Sequence, residues 1–336
     1  MHFSRKAACV MQLAQEDPFV RLTDPFRREL LAHCYRMTGS LQDAEDLVQE
    51  TYIRAWRSYD RFEGRSSMRL WLYRIATNVC LTALEHHSRR LLPSGLGPPS
   101  DDPDHPLSAL EKDTWIQPLP GPPMDTADPA TIVAARDSVR LALIAALQHL
   151  PAKQRVALIL RDVLAWRANE VADLLGTTGA AVNSLLQRAR TQLRRVAPAE
   201  DHPAELFEPG LRALLDQYIT AFQNADINAL MEVLRDDVAL EMPPNIQWFT
   251  GRATVGQFLR NNVLARPDMA RMFPTTANGQ PAVAAYWRGN DDSYRAHALQ
   301  VLTITHTGIS RIVSFNDPEL FPNFGLARVL TAEQPR

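Results

Sequence analysis

WRANEVADLLGTTGAAVNSLLQRARTQLRR, residues 166–195, reads as helix, glycine turn, helix. Val171, Leu174 and Leu175 make the apolar face of the first segment, and Gly176 can supply the left-handed residue that ends it. Val182, Leu185, Leu186 and Ala189 form the buried side of the second segment. Its other side carries Asn183, Ser184, Gln187, Arg188 and Arg190, followed by Arg194 and Arg195. Amides and guanidinium groups suit base edges in a major groove, and extra arginines suit phosphates. A plain αα-hairpin with a solvated basic face is the alternative.

Upstream, LQDAEDLVQETYIRAWR at residues 41–57 is a second amphipathic segment that changes sign along its length. Asp43, Glu45, Asp46 and Glu50 come first, then Arg54 and Arg57, with Leu47, Val48, Tyr52, Ile53 and Trp56 as the apolar rhythm. An acidic face leading into a basic one implies a cationic partner and a polyanionic one. Taken alone, it also reads as an ordinary solvated helix. Arg61, Arg65, Arg69, Arg74, Arg89 and Arg90 follow, against Asp60, Glu63 and Glu85, with Tyr59, Phe62, Trp71 and Tyr73 interleaved. Arginine with exposed aromatics is equipment for single-stranded or melted DNA. Trp56 and Trp71 are expected in the core, whereas Tyr59, Phe62 and Tyr73 are expected to be at least partly exposed.

The 336-residue chain is long enough for two or three domains, and 46% hydrophobic with 22% charged residues is ordinary globular composition. Cys9, Cys34 and Cys80 are odd in number and form no CxxC pair, so they read as reduced thiols in a cytoplasm rather than a disulfide framework or zinc site. The longest apolar run, Leu141 to Leu147, is far too short to cross a bilayer, and Ala7 to Met11 is too short for a secretory signal. No metal, cofactor or membrane partner is expected.

Composition divides the chain into four zones. Residues 24–90 are helical in pattern, with Asp24-Pro25 as a helix start. Residues 91–130 hold ten of the 24 prolines and set seven acidic side chains against Lys112 alone. Such a connector cannot pack a core of its own, although Trp115 and Ile116 could dock on something. Residues 131–197 are helical again. Within 205–331, LRALLDQYITAFQNADINALMEVL reads as one amphipathic helix ahead of the strand-like runs VALEM, PAVAAYW, LQVLTIT and ISRIVSF, with a hairpin turn at Thr307-Gly308. This order describes an α+β domain attached to an all-α half.

In their order, three segments resemble the extracytoplasmic-function (ECF) group of bacterial RNA polymerase sigma factors. DAEDLVQETYIRAW resembles region 2.2, RLWLYRIATNVCLTAL regions 2.3 to 2.4, and LPAKQRVALILRDVLAWRANEVADLLGTTGAAVNSLLQRARTQL region 4. The resemblance covers roughly residues 24–196 and implies two partners: core RNA polymerase, through its β′ clamp and β flap, and promoter DNA. Asp46, Gln49 and Glu50 match clamp-binding positions. Phe62 to Arg65 match the loop that captures a flipped −10 base, and Arg69, Tyr73, Arg74, Thr77 and Asn78 fall on the helix along the −10 strand. Thr178, Asn183, Ser184, Gln187 and Arg188 match the −35 readers; Arg190 joins them mainly for salt-dependent affinity, with Arg194 and Arg195. The acidic connector matches a family linker that threads the polymerase cleft, and is longer than usual.

The C-terminal zone resembles the SnoaL-like domain, a helix-flanked curved sheet forming a cone with a pocket. YITAFQNADINALMEVLRDDVALEMPP matches its opening, and ANGQPAVAAYW with FNDPELFPNFGL its ending. Glu241, Trp248, Trp287, His297 and Asp317 are the candidate pocket residues, suited to a small-molecule ligand. The expected fold is therefore multi-domain: all-α region 2 and helix-turn-helix region 4, then an α+β SnoaL-like cone. In such sigma factors the extension is read as a built-in regulator. Two other readings are a helix-turn-helix ligand-responsive regulator acting without polymerase, and a fusion with an active SnoaL-like enzyme. The Asp46–Gln49–Glu50 surface argues against the first, and no residue names a substrate for the second.

Overall fold

The computed structural model describes residues 18–64, 66–85, 89–121, 139–196, 209–264 and 266–330. It divides into two compact units, Met1–Arg89 with Leu147–Val196, and Arg90–Ala146 with Ala197–Arg336. The expected −10 residue Arg65 lies outside the described residues.

The first unit is helical. Its helices are α1 (Pro18–Thr23), α2 (Arg27–Thr38), α3 (Leu41–Ser58), α4 (Met68–Leu84), the end of α5 (Leu141–Gln148), α6 (Ala152–Leu158), α7 (Ala168–Leu175) and α8 (Gly179–Val196). Gly39, at φ +70°, ends α2 in the left-handed region, and the Ser40 hydroxyl then caps α3 by accepting the Asp43 N–H at 3.1 Å. Leu30, Met37, Val48, Leu72 and Ala76 close the core between α2, α3 and α4. Arg155 of α6 is buried with them. Its guanidinium donates to the Met37 carbonyl, to Gln148 Oε1 at 2.7 Å and to the Leu150 carbonyl at 3.1 Å. Charge-assisted bonds of this kind let a buried cation stay charged, even though burial lowers its pKa to about 10. Three aromatics depart from expectation, Trp71 among them, since it is half-buried rather than in the core. Trp56 is 62% exposed, because it stands on the outer face of α3 and not over the core. Tyr73 is wholly buried, with its hydroxyl 3.2 Å from Glu29 Oε2.

The second unit is a seven-stranded mixed sheet covered by helices. Strands β1 (Leu234–Glu241), β2 (Trp248–Thr250), β3 (Ala270–Ala277), β4 (Gln280–Arg288), β5 (Tyr294–Thr305) and β6 (Gly308–Phe315) order as β2-β1-β6-β5-β4-β3, and β7 (Val329–Leu330) pairs with β5. Among the described strands, β1 and β6 pair in parallel and the other neighbours antiparallel. Register shifts at Ala285/Tyr286 and Thr303/Ile304 are bulges that bend the strands. Helices α9 (Pro209–Gln223), α10 (Ile227–Val233) and α11 (Arg252–Asn262) bury Leu215, Tyr218, Leu230 and Phe258 against Val238, Leu240, Val283, Leu302 and Ile312. The single helix expected before β1 is two. Ala225, at φ +52°, breaks it, and Asp226 caps the second piece through the amides of Asn228 and Ala229 at 3.1 and 3.0 Å. The last hairpin turns one residue earlier than expected, at His306-Thr307, because Gly308 already pairs with Thr305.

The acidic connector belongs to this unit and is held along it. Within the segment Leu91 donates its N–H to the Thr114 carbonyl at 2.9 Å and accepts at its own carbonyl from Ile116 at 3.2 Å, and Trp115 and Ile116 are buried. Ser100, Leu110 and Gly121 each donate a main-chain bond to the domain, at 2.8 Å to Trp248, 3.0 Å to Pro244 and 3.0 Å to Thr276. Leu119 and Asn278 close a pair of bonds at 2.8 and 2.9 Å. Asp104 accepts from Asn261 at 2.8 Å. The described part of the connector, residues 90–121, thus packs on the sheet domain.

Candidate nucleic-acid and partner interfaces

On α3, about 100° per residue puts Asp46, Gln49, Glu50, Ile53, Trp56 and Arg57 within one 120° face, roughly a third of the helix surface. Asp46 and Gln49 are exposed, and Ile53 and Trp56 are 44% and 62% exposed. Glu50 faces Arg54 at 2.6 Å, an exposed pair of small net strength that can exchange partners. Sequence reasoning found the acidic half of this face and missed the apolar half. The signal was there: Trp56 is seven residues from Gln49, two helical turns.

On α4 the outward stripe is Trp71, Arg74, Asn78 and Thr82, since Leu72, Tyr73, Ala76, Thr77, Val79 and Cys80 face inward. Phe62 packs on Trp71 with ring centroids 4.8 Å apart, which leaves two half-buried rings at the head of the stripe. Of the expected −10 contacts, Asn78 is exposed and Arg74 half-buried, while Arg69 is exposed but tied to Glu29 at 2.8 Å. Tyr73 and Thr77 are corrected: both are wholly buried and stand behind this surface. The Thr77 hydroxyl donates to the Tyr73 carbonyl at 2.7 Å, so toward His33 Nε2, 3.0 Å away, it must accept. His33 is therefore the neutral tautomer with its proton on Nε2. Its Nδ1 has no partner among the described residues. Burial, then the Arg36 charge, pushes the imidazole down to about 3.

The helix-turn-helix forms as its sequence requires. Gly176, at φ +60°, ends α7, and the Thr178 hydroxyl caps α8 by accepting the Ala181 N–H at 3.2 Å. Val182, Leu186 and Ala189 are buried, with Val182 and Leu186 each contributing on the order of 2 kcal/mol where fully covered. Asn183, Ser184, Gln187 and Arg188 are exposed. Arg190 makes a bidentate pair with Asp162 at 2.7 and 3.0 Å, so it braces α8 against the π-helical segment Ile159–Val163.

In the second unit, the five candidate pocket residues fall into two groups. Glu241 is wholly buried; one carboxylate oxygen pairs with Arg311 and the other accepts the Ser94 N–H at 2.9 Å. Trp248 sits opposite Glu241 in the β1–β2 register and donates its indole N–H to the Gly97 carbonyl at 2.9 Å. Asp317 accepts from Lys112 Nζ at 2.9 Å. All three are thus engaged by the connector. Trp287 and His297 pack edge to face, 5.0 Å apart, and burial lowers the His297 pKa. Register aligns Glu241 with Val313, Val301 and Ala282, so Trp287 stands five residues away along β4, roughly 16 Å. Among the described residues no group of three or more His, Cys, Asp or Glu is placed to hold a metal, and no helix is long and apolar enough to cross a membrane.

The chain is similar to known proteins over both helical regions. The model for Sigma-70 region 2 matches residues 22–90, and that for Sigma-70, region 4 matches residues 140–193. The ECF RNA polymerase sigma factor SigG of Mycobacterium tuberculosis strain H37Rv is 51% identical over 306 residues, covering 90% of this chain and 82% of that protein. SigJ from the same strain is 27% identical over 295 residues, 84% of this chain and 86% of that one. The crystal structure of Mycobacterium tuberculosis SigJ superposes with a TM-score of 0.60 at 22% identity, over 92% of this chain and 100% of that one, a likeness of fold.

Proposed function

This chain belongs to the ECF RNA polymerase sigma factors, which direct promoter-specific transcription, and from that premise we propose how its surfaces divide the work. The α3 face from Asp46 to Trp56 binds the polymerase clamp, with carboxylates for its basic residues and Ile53 and Trp56 for its apolar ones. The Phe62–Trp71 ring pair, Arg74 and Asn78 line the −10 strand, where rings stack on unpaired bases and arginine follows the backbone. Asn183, Ser184 and Gln187 read the −35 element in the major groove. The observation that supports this reading best is α8 itself: capped by Thr178, braced by Arg190–Asp162, buried on one side, and bare on the side that carries its amides.

Asn183→Ala and Gln187→Ala test it. Each is expected to relax base preference at −35 positions by about 1–3 kcal/mol, with holoenzyme assembly unchanged. Promoter-library transcription reads the effect; unaltered preference in both variants contradicts the assignment.

For the C-terminal domain we propose a regulatory role without bond chemistry. Glu241 is the one buried carboxylate of the expected pocket, and both of its oxygens are engaged, by Arg311 and by the connector. A general base needs a free oxygen within reach of substrate. What the domain does hold is the chain between regions 2 and 4, so a ligand or partner that loosens this hold changes the reach of that connector.

A further inference from the structure

The exposed side of α8 also borders a cleft of about 500 Å³ within the first unit. Arg188, Thr191, Gln192 and Arg195 line one wall. At about 100° per residue Arg188, Gln192 and Arg195 lie roughly 100° or more from Asn183 and Arg194, while Ser184 shares their face and Thr191 and Gln187 stand toward its edge. His149 and Gln154, from the corner between α5 and α6, line the opposite wall. None of the described lining residues is acidic. Arg188 and Arg195, seven residues apart, stand two turns from each other on one helix face, about 10 Å along the axis. Behind the other wall are Arg89 and the buried Arg155. Their charges, after burial itself, hold the His149 imidazole below its ordinary range. The cleft thus gathers positive charge and neutral donors with no carboxylate to balance them, and this donor set suits a phosphate.

We propose that this cleft is a phosphate-binding site in which Arg188 and Arg195 hold one phosphate group against Gln154 and His149. The phosphate belongs either to the promoter strand flanking the −35 element or to a free phosphorylated small molecule, since both present the same oxygens. The first source rests on the promoter-reading role above. It moves Arg188 from a base reader to a backbone clamp, and it gives the α5–α6 corner a part in DNA binding.

Two measurements on the full-length chain decide it. The first is promoter affinity of the reconstituted holoenzyme between about 50 and 200 mM salt. The double variant Arg188→Gln, Arg195→Gln is expected to lower the slope of log affinity against log salt by about 0.9, the release of one phosphate contact. Gln154→Glu, which places a carboxylate in the cleft from the far wall, is expected to do the same. The second is titration of the free protein with inorganic phosphate, followed by the His149 ring resonances. A saturable shift, lost in the double variant, is expected. Slope changes together with the shift assign the site to DNA; a shift with unchanged slopes assigns it to a small phosphorylated ligand. A slope change in the arginine variant alone, with no shift, overturns the cleft and leaves two surface arginines. No change in either measurement overturns it as well. A holoenzyme that fails to form counts against the promoter-binding role, and the phosphate titration still decides the cleft.

Discussion

Trp56→Ala is expected to weaken binding to core RNA polymerase by about 2–4 kcal/mol, roughly 30- to 900-fold, and to leave the fold intact. The size follows from the chemistry of the face. Tryptophan is the side chain most often found to dominate an interface when it becomes fully covered, and Trp56 has 62% of its surface still to bury. Ile53 supplies a second apolar contact, while Asp46 and Gln49 supply polar ones that set orientation more than affinity. Exposure also makes the variant clean, because no core cavity is created. Equilibrium binding to core polymerase measures the loss, with circular dichroism as the check on folding. Unchanged affinity would assign the polymerase contact to the acidic residues alone.

Acid is expected to loosen the α2–α4 core through His33. Its imidazole titrates at about 3 in the folded chain and near 6.5 when unfolded, so between those values the unfolded state binds the extra proton. The stability that His33 contributes is therefore full above about pH 6.5 and falls as pH drops toward 3, by on the order of 5 kcal/mol in all. The geometry explains the magnitude: a proton on Nδ1 would put charge on an atom that has no acceptor nearby among the described residues, beside the cation of Arg36. Amide exchange in α2 and α4 between pH 6.5 and 4.5 reads this locally, without assuming that the whole chain unfolds in one step. His33→Gln, which keeps a donor for Thr77, should flatten the dependence. Equal slopes in both proteins would place the acid sensitivity elsewhere.

What the sequence makes legible, and what it hides, follows from the range of the interactions involved. The helix-turn-helix is local. Gly176, the Val182–Leu186–Ala189 stripe and the amide face lie within one short stretch, and each occupies the position its pattern implies. Strands β4, β5 and β6 are legible for the same reason, as apolar runs ended by turn residues. Strand β3 is hidden because Pro274 interrupts it, which an edge strand tolerates and a central one does not. The parallel pairing of β1 with β6 joins residues about seventy positions apart and leaves no local trace. The same holds for the connector. Its prolines and acids mark it as coreless, but its seat beside Glu241, Trp248 and Asp317 depends on a surface formed more than a hundred residues later. Burial of Tyr73 and Thr77 is a different kind of miss. Both lie on the stretch that resembles a DNA-contacting helix, and only the packing of α2 against α4 shows which way each one turns.

The central claim is that this chain works as the promoter-reading subunit of a polymerase. Its most direct test is transcription by core RNA polymerase on a promoter library, with and without the full-length chain, alongside a gel shift of the chain alone on the same duplexes. The account predicts transcripts that begin a fixed distance downstream of a shared −35 and −10 pair only when chain and core are combined, with little binding to duplex by the chain alone. Tight binding to duplex without polymerase, and no chain-dependent transcripts, would contradict it and point to a helix-turn-helix regulator instead.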